Sequence, residues 1–169
     1  MLTKMNTLIN NDLTFRVLFC DNIGTIRHVM VRQLERAFVE LGMDNVEVTA
    51  IGSTPDEVRS LVNIVHGRMT NIEGVISKGP AYDIVVCDQN METLDDNGND
   101  FLGSDIAQIL HDDTLWKGPF VLQTASPPDI MSKLSENNAI NLLLNKEKGF
   151  KYNADAVAHL CIEWRRSRI

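Results

Sequence analysis

The sequence predicts a doubly wound α/β domain, a (βα)5 sandwich around a five-stranded parallel sheet. Five short apolar runs alternate along the 169-residue chain with segments whose apolar residues recur every three or four positions. Near-continuous apolar runs are typical of strands that are buried on both faces, as in parallel sheets. Strict alternation of strands and helices, joined by right-handed crossovers, places helices on both faces of such a sheet.

The five predicted strands are short and rich in β-branched or large apolar residues. They cover residues 15–20, 46–51, 84–87, 120–124 and 140–144. The third is the central one, because Ile84-Val85-Val86-Cys87 is uninterrupted and ends directly at Asp88. We therefore expect the rest of the domain to be arranged around this strand.

The predicted helices lie between these strands and after the last one. The first ends near Gly42, and the second begins at Ser53-Thr54-Pro55, where a hydroxyl cap precedes a proline, and runs toward Met69. The others cover about 100–110, a segment that starts at 126–129 with Ile130, Met131 and Leu134 facing inward, and 153–166. The domain is expected to span 15–169, with 1–14 as an N-terminal extension and an insertion near 70–80.

Composition excludes several classes of function. The net charge of −7 provides no basic field for non-specific binding of nucleic acid. No apolar run approaches the roughly 18 residues of a membrane span, and the first residues lack the apolar core of a signal peptide. Three widely spaced cysteines, Cys20, Cys87 and Cys161, favour a reducing compartment. These features predict a soluble cytoplasmic protein.

Polar side chains follow four of the predicted strands: Asp21 with Asn22, Asp88, Thr124 and Lys146. In a parallel sheet all these strand ends meet at one edge, where α/β proteins bind ligands. Converging carboxylates repel each other unless a cation joins them, and oxygen ligands suit Mg²⁺. A hydroxyl and an ammonium suit phosphoryl oxygens, and a carboxylate can accept a phosphoryl group. The residues therefore predict phosphoryl transfer to an aspartate, the alternative being strand-end residues that only cap loops.

Four segments together resemble the receiver domain of two-component response regulators, as in single-domain chemotaxis-type receivers: 82–91, 97–102, 120–125 and 143–146. The resemblance covers about 15–166 and implies the flavodoxin-like strand order 2-1-3-4-5. It implies that Asp88 is the phosphoacceptor and that Thr124 and Lys146 contact the phosphoryl group. It also implies an Mg²⁺ site formed by Asp21, Asn22, Asp88 and the main-chain oxygen of Asn90.

The chain departs from the receiver pattern at several of these positions. Asn22 replaces the second of two adjacent acids, and its neutral amide should weaken Mg²⁺ binding. A register shifted by one residue would instead place Cys20 and Asp21 at the two acid positions. Asn145 is a rival for the lysine position, and Leu143 or a neighbour replaces the usual aromatic residue.

The expected function is that of a stand-alone receiver that takes a phosphoryl group from a histidine kinase or a histidine phosphotransfer protein. Its only catalysis would be its own phosphorylation and slow dephosphorylation. Because the sequence ends soon after the fifth helix, the expected output is a contact with a downstream protein, without nucleic acid or membrane insertion. The alternative is a pseudo-receiver that binds proteins without phosphorylation. A flavodoxin-like binder or small phosphohydrolase is disfavoured, since no glycine-rich phosphate loop follows the first strand.

Overall fold

The computed structural model describes residues 14–67, 81–113 and 116–168. Within these ranges five strands form one parallel sheet in the order β2-β1-β3-β4-β5. The strands are β1 (Phe15–Cys20), β2 (Val46–Ile51), β3 (Ile84–Asp88), β4 (Phe120–Thr124) and β5 (Leu142–Asn145). The predicted fold class and strand order are confirmed, since all four strand pairs are parallel and β1 lies between β2 and β3.

The helices connect the strands and follow the last one. They are α1 (Gly24–Glu40), α2 (Pro55–Arg59), α3 (Leu61–Val65), α4 (Gly103–Asp112), α5 (Pro128–Ser135) and α6 (Phe150–Ser167). A 3₁₀ turn, Lys146–Lys148, joins β5 to α6. None of the helices in the described ranges is long and apolar enough to cross a membrane.

The core consists of two layers, one on each face of the sheet. Alternate residues of β3 contribute to opposite layers: Ile84 and Val86 pack with α1 and α6, whereas Val85 and Cys87 pack with α2, α3 and α4. All five residues of β3 and of β4 are buried. This two-sided burial is the reason that the central strands appear in the sequence as continuous apolar runs.

Helix α5 is attached to the core less firmly than the other long helices. It contains no buried residue, and Met131 and Leu134 are only half-buried. Ile130, which was predicted to face inward, is 42% exposed. The prediction was wrong at this position, since it is Leu134 on this short helix that packs against the core.

The predicted second helix is divided into α2 and α3 at Ser60. Thr54 caps its start as expected, accepting the main-chain N–H of Glu57 at 3.2 Å. The buried apolar residues Val58, Leu61, Ile64 and Val65 keep one face of both helices in the core. The main chain departs from α-helical geometry at Ser60, whose φ of −87° and ψ of −3° are typical of a tight turn.

Other element ends differ from the predictions by two or three residues. Helix α4 begins at Gly103 because Asp100 is held in a bridge with Leu94. Strand β5 begins after Asn141, whose N–H is bonded to the oxygen of Phe120. Helix α6 begins three residues early, at Phe150, directly after Gly149, whose φ of +93° favours glycine. The proposed extension at 1–14, apart from Thr14, and the insertion at 70–80 lie outside the described residues.

Candidate functional site

Two carboxylates and one ammonium group meet at the carboxyl edge of the sheet. Asp21 follows β1, Asp88 ends β3 and Lys146 follows β5. The Lys146 Nζ atom lies 3.0 Å from Asp21 Oδ2 and 2.9 Å from Asp88 Oδ1. The topology therefore brings together three of the residues that were predicted to form the site. Asn145, the rival for the lysine position, uses its side-chain oxygen to accept the N–H of Glu147 at 2.9 Å.

Asp21 is fixed by hydrogen bonds to both of its carboxylate oxygens. It is completely buried, Oδ1 accepts the main-chain N–H of Ile23 at 2.8 Å, and Oδ2 accepts from Lys146. Asn22, the neighbour at the second acid position, is half-buried. Asp21 is thus the acid that is held by hydrogen bonds and paired with a cation, while Asn22 contributes only a neutral amide.

The electrostatics of the site reflect a shared cation. Burial raises the pKa of Asp88, although the hydrogen bond and charge of Lys146 oppose this rise, and the charge of Asp21 adds to it. Burial alone would lower the pKa of Lys146, but its bonds to Asp88 and Asp21 outweigh burial and raise that pKa. One ammonium group therefore stays protonated between two carboxylates that it neutralises only in part.

Two glycines support the carboxylates through close main-chain contacts. A Cβ atom on Gly52, whose φ is +115°, would lie 2.5 Å from the oxygen of Asp21. A Cβ atom on Gly103 would lie 2.3 Å from the oxygen of Asp88. Gly52 follows β2 and Gly103 begins α4, so these two elements press directly on the strand ends that carry the acids. Neither glycine was identified from the sequence.

Arg27 is a second cation at this edge that sequence reasoning missed. Its Nη1 atom donates to the main-chain oxygen of Asp21 at 2.7 Å. The residue lies in the first turn of α1 and reaches back over the loop that contains Asn22. The sequence indicated this role only through the position of Arg27 near the start of a helix that follows a strand ending at an acidic residue. The guanidinium fixes the path of the chain between β1 and α1.

Thr124 lies at the end of β4, as predicted, and its hydroxyl is bonded to Ser126. The residue is 4% exposed. Its Oγ1 atom lies 2.5 Å from Ser126 Oγ and accepts the main-chain N–H of Ser126 at 3.1 Å. Thr124 therefore belongs to the site by position, while its hydroxyl is directed along the loop toward Ser126.

The loop after Asp88 has an unusual main-chain conformation. Asn90 is exposed, and its side-chain oxygen accepts the N–H of Glu92 at 3.4 Å. Glu92 has a φ of +51°, which a proline cannot adopt. The path of this loop determines where the main-chain oxygen of Asn90 is presented.

The donor set limits how a metal could be held. Throughout the ranges that the structure describes, no group of three or more His, Cys, Asp or Glu side chains is arranged to hold a metal ion. The candidate ligands are instead the two carboxylates Asp21 and Asp88, complemented by amide or main-chain oxygens at Asn22 and Asn90. All are hard oxygen donors, and the incompletely neutralised carboxylates fit a divalent cation of the Mg²⁺ type.

Cys20 and Cys87 lie side by side beneath the two acids, as expected for neighbouring strands. They are paired in the sheet register, and their Sγ atoms lie 3.3 Å and 3.8 Å from the sulfur of Met91. All three residues are buried. Burial raises the pKa of the Cys87 thiol well above its ordinary value, so the sulfurs act as apolar packing groups under the site.

Known structures share this architecture. No protein-family model and no curated protein matches the sequence. Solved structures do match: a CheY-like response regulator receiver domain protein from Methanospirillum hungatei JF-1 is 15% identical, with 92% of this chain and 99% of that chain covered and a TM-score of 0.58. The chain has the receiver-domain fold. The signal receiver domain of a DNA-binding response regulator (merR) from Colwellia psychrerythraea 34H is 14% identical, with 87% and 98% covered and a TM-score of 0.60.

One further receiver structure bears on the metal. It is the Mn²⁺-bound form of the response regulator Rcp1, which is 13% identical, with 85% of this chain and 91% of that chain covered and a TM-score of 0.57. At such identities the likeness establishes the receiver fold. The arrangement of Asp21, Asp88 and Lys146 at the carboxyl edge comes from the structure of this chain itself.

Proposed function

We propose that this protein is a receiver that accepts a phosphoryl group on Asp88 from a histidine kinase or a histidine phosphotransfer protein. The observation that supports this most directly is the Lys146 ammonium, 2.9 Å from Asp88 and 3.0 Å from Asp21. A cation held at a carboxylate by a second acid is suited to stabilise the negative oxygens of an incoming phosphoryl group.

The transfer exchanges one bond to phosphorus for another. A carboxylate oxygen of Asp88 forms a bond to the phosphorus of a phosphohistidine as the phosphorus–nitrogen bond breaks. The bonding electrons go to the imidazole nitrogen, which takes up a proton, and the product is an acyl phosphate on Asp88. Lys146 remains protonated because its pKa is raised, so it faces the new group as a cation. Thr124 supplies the nearby hydroxyl.

We assign Mg²⁺ as the metal of this reaction. Asp21 and Asp88 would hold it, with Asn22 and the main-chain oxygen of Asn90 as further donors. When bound, Mg²⁺ supplies positive charge to the phosphoryl oxygens. The two carboxylates share a single ammonium group. One negative charge is therefore not neutralised, and it can attract a divalent cation.

The assignment of Asp88 is tested by intact mass spectrometry after incubation with acetyl phosphate and Mg²⁺. The wild-type protein should gain the mass of one phosphoryl group, and Asp88→Asn should gain none while its circular dichroism remains that of a folded protein. Asp129→Asn is the matched control, since it removes an exposed carboxylate in the first turn of α5 near the same edge. A full mass gain in the Asp88 variant would refute the assignment.

The metal assignment is tested by calorimetric titration with Mg²⁺. Asn22→Asp adds a charged ligand and should tighten binding about tenfold or more, since Mg²⁺ prefers carboxylates. Asn138→Asp, which adds the same charge at an exposed position beyond the amino end of β5, should leave the affinity nearly unchanged. An unchanged or weaker affinity for Asn22→Asp would identify Asp21 as the direct ligand and the second acid of the pattern.

A pseudo-receiver that binds a downstream protein without phosphorylation is the second candidate. Asn22 favours it, because a neutral residue at this position weakens the metal on which phosphorylation depends. The same mass experiment separates the two functions. A protein that binds no Mg²⁺ and gains no phosphoryl mass, yet remains folded, would be a pseudo-receiver.

A further inference from the structure

The link between β4 and α5 contains a pair of hydroxyl groups in direct contact. Thr124 Oγ1 and Ser126 Oγ are 2.5 Å apart, and Thr124 Oγ1 also accepts the main-chain N–H of Ser126 at 3.1 Å. Thr124 is 4% exposed and Ser126 is half-buried, so water competes little for these groups. The side chain of Thr124 is therefore held by two hydrogen bonds to a single residue.

The number of hydrogen bonds that a hydroxyl can form limits what Thr124 can do while it is bonded to Ser126. A hydroxyl has one donor and two acceptor positions, and the N–H of Ser126 fills one acceptor position on Thr124. If Thr124 donates to Ser126 Oγ, it has no proton left for a phosphoryl oxygen. If Ser126 donates instead, the Thr124 proton is free, but both acceptor positions are filled and the two bonds fix the rotamer that directs the hydroxyl toward Ser126. In either arrangement, Thr124 must release Ser126 before it can turn toward Asp88.

The main chain of this link cannot easily relieve the constraint. Pro127 and Pro128 follow Ser126 directly and begin α5. Proline fixes its own φ, provides no N–H, and restricts the residue before it to extended conformations. Ser126 is therefore held in an extended position next to Thr124, and its side chain is the movable part of the link.

We propose that Ser126 is a positioning residue that holds the Thr124 hydroxyl in its resting orientation and so opposes the turn of Thr124 toward a phosphoryl group on Asp88. The proposal rests on the proposed phosphorylation of Asp88. Removing the Ser126 hydroxyl removes one bond that exists only in the resting arrangement. The balance between resting and active arrangements should shift accordingly toward the active one.

The first test measures binding of beryllium fluoride, a phosphoryl mimic, in the presence of Mg²⁺. Ser126→Ala should bind it about fivefold more tightly than wild type, which is the effect of one neutral hydrogen bond. Ser126→Thr keeps a hydroxyl and should stay close to wild type. Ser132→Ala, an exposed serine on α5, is the matched control and should change nothing. An unchanged or weaker affinity of Ser126→Ala would overturn the proposal.

A double-mutant cycle shows whether Ser126 acts through Thr124. In a Thr124→Ala background, Ser126→Ala should give no further gain, because the hydroxyl that it releases is absent. A fivefold gain that persists in this background would show that Ser126 acts on the phosphoryl site by another route, and would overturn the proposal.

The second test does not depend on phosphorylation. Scalar couplings of Thr124 in the unphosphorylated protein should indicate one χ1 rotamer in wild type and averaging between rotamers in Ser126→Ala. An identical single rotamer in both proteins would overturn the positioning role. If wild type fails to bind beryllium fluoride at all, the proposed function is wrong, and the rotamer measurement alone then decides whether Ser126 positions Thr124.

Discussion

Gly103 offers a direct test of how α4 supports the strand that ends at Asp88. In Gly103→Ala the new Cβ atom would lie 2.3 Å from the oxygen of Asp88 and 2.7 Å from Leu122 Cδ1. Ordinary carbon–oxygen contacts are about 3.3 Å or longer, so α4 must move by about 1 Å. It cannot move freely, because the N–H of Gly103 donates to the oxygen of Gln89 at 3.0 Å. Such overpacking costs about 1–3 kcal/mol of unfolding free energy.

The cost is measurable by urea denaturation followed by circular dichroism. With an m-value of about 2 kcal/mol/M, the midpoint of Gly103→Ala should fall by about 0.5–1.5 M. The displaced strand end should also slow the phosphorylation of Asp88. Gly24→Ala is the control: its Cβ would meet Arg27 Nη2 at 3.4 Å, an ordinary contact at the start of α1.

The control variant should keep the wild-type midpoint or raise it, because alanine has the higher helix propensity and restricts the unfolded chain. If Gly103→Ala has a midpoint equal to or above that of wild type while Gly24→Ala behaves as expected, the contact with the Asp88 carbonyl does not constrain α4. The view that a glycine is required at this position would then be wrong.

Three further predictions concern charge and burial. Burial and the charge of Asp21 raise the pKa of Asp88, although Lys146 opposes this rise. The folded protein therefore favours the protonated Asp88 carboxyl. The contribution of this proton to stability is present below the unfolded pKa and is lost as pH rises through the folded pKa. Asp88→Asn should therefore unfold at a higher temperature than wild type at pH 7, with the difference vanishing below about pH 4; a pH-independent difference would contradict this. Lys146→Met leaves two carboxylates without their cation and should lose about 3 kcal/mol in urea denaturation at pH 7, part of which Mg²⁺ restores; the prediction fails if Mg²⁺ stabilises wild type and variant equally. Trp116→Phe removes the indole N–H that donates to the oxygen of Tyr82 at 2.9 Å and should cost about 1–3 kcal/mol in the same assay, whereas an unchanged midpoint would show that water replaces this bond.

The central strands were predictable because burial on both faces leaves a signal in consecutive residues. Every residue of β3 and β4 had to be compatible with the interior, and the polar residue that ended each run marked the edge of the sheet. Parallel pairing then placed Asp21, Asp88 and Lys146 at one edge. The contacts of Lys146 with both acids were not predicted, since β5 lies three strands from β1 and the contacts depend on the paths of the side chains and of the loops after the strands.

The details that were missed depend on residues distant in the sequence or on exact turn geometry. The need for Gly52 and Gly103 arises from the carbonyls of Asp21 and Asp88, which no local pattern can reveal. The division of the second helix at Ser60 was missed because the buried residues on both sides of Ser60 continue one helical spacing, from Val58 to Leu61 and on to Val65. The contact between Ser126 and Thr124 depends on rotamers, which a sequence does not specify.

The absence of buried residues in α5 has a consequence for how this part of the chain changes with time and with mutation. A helix with no fully buried side chain can open locally while exposing little of the core, so its amide hydrogens should exchange with solvent far sooner than those of β3 or β4. Its outward positions also carry few packing constraints, and substitutions there should alter what the helix contacts while leaving the melting temperature of the domain almost unchanged. The surface of α5 can therefore diverge between related proteins more freely than the sheet that supports it.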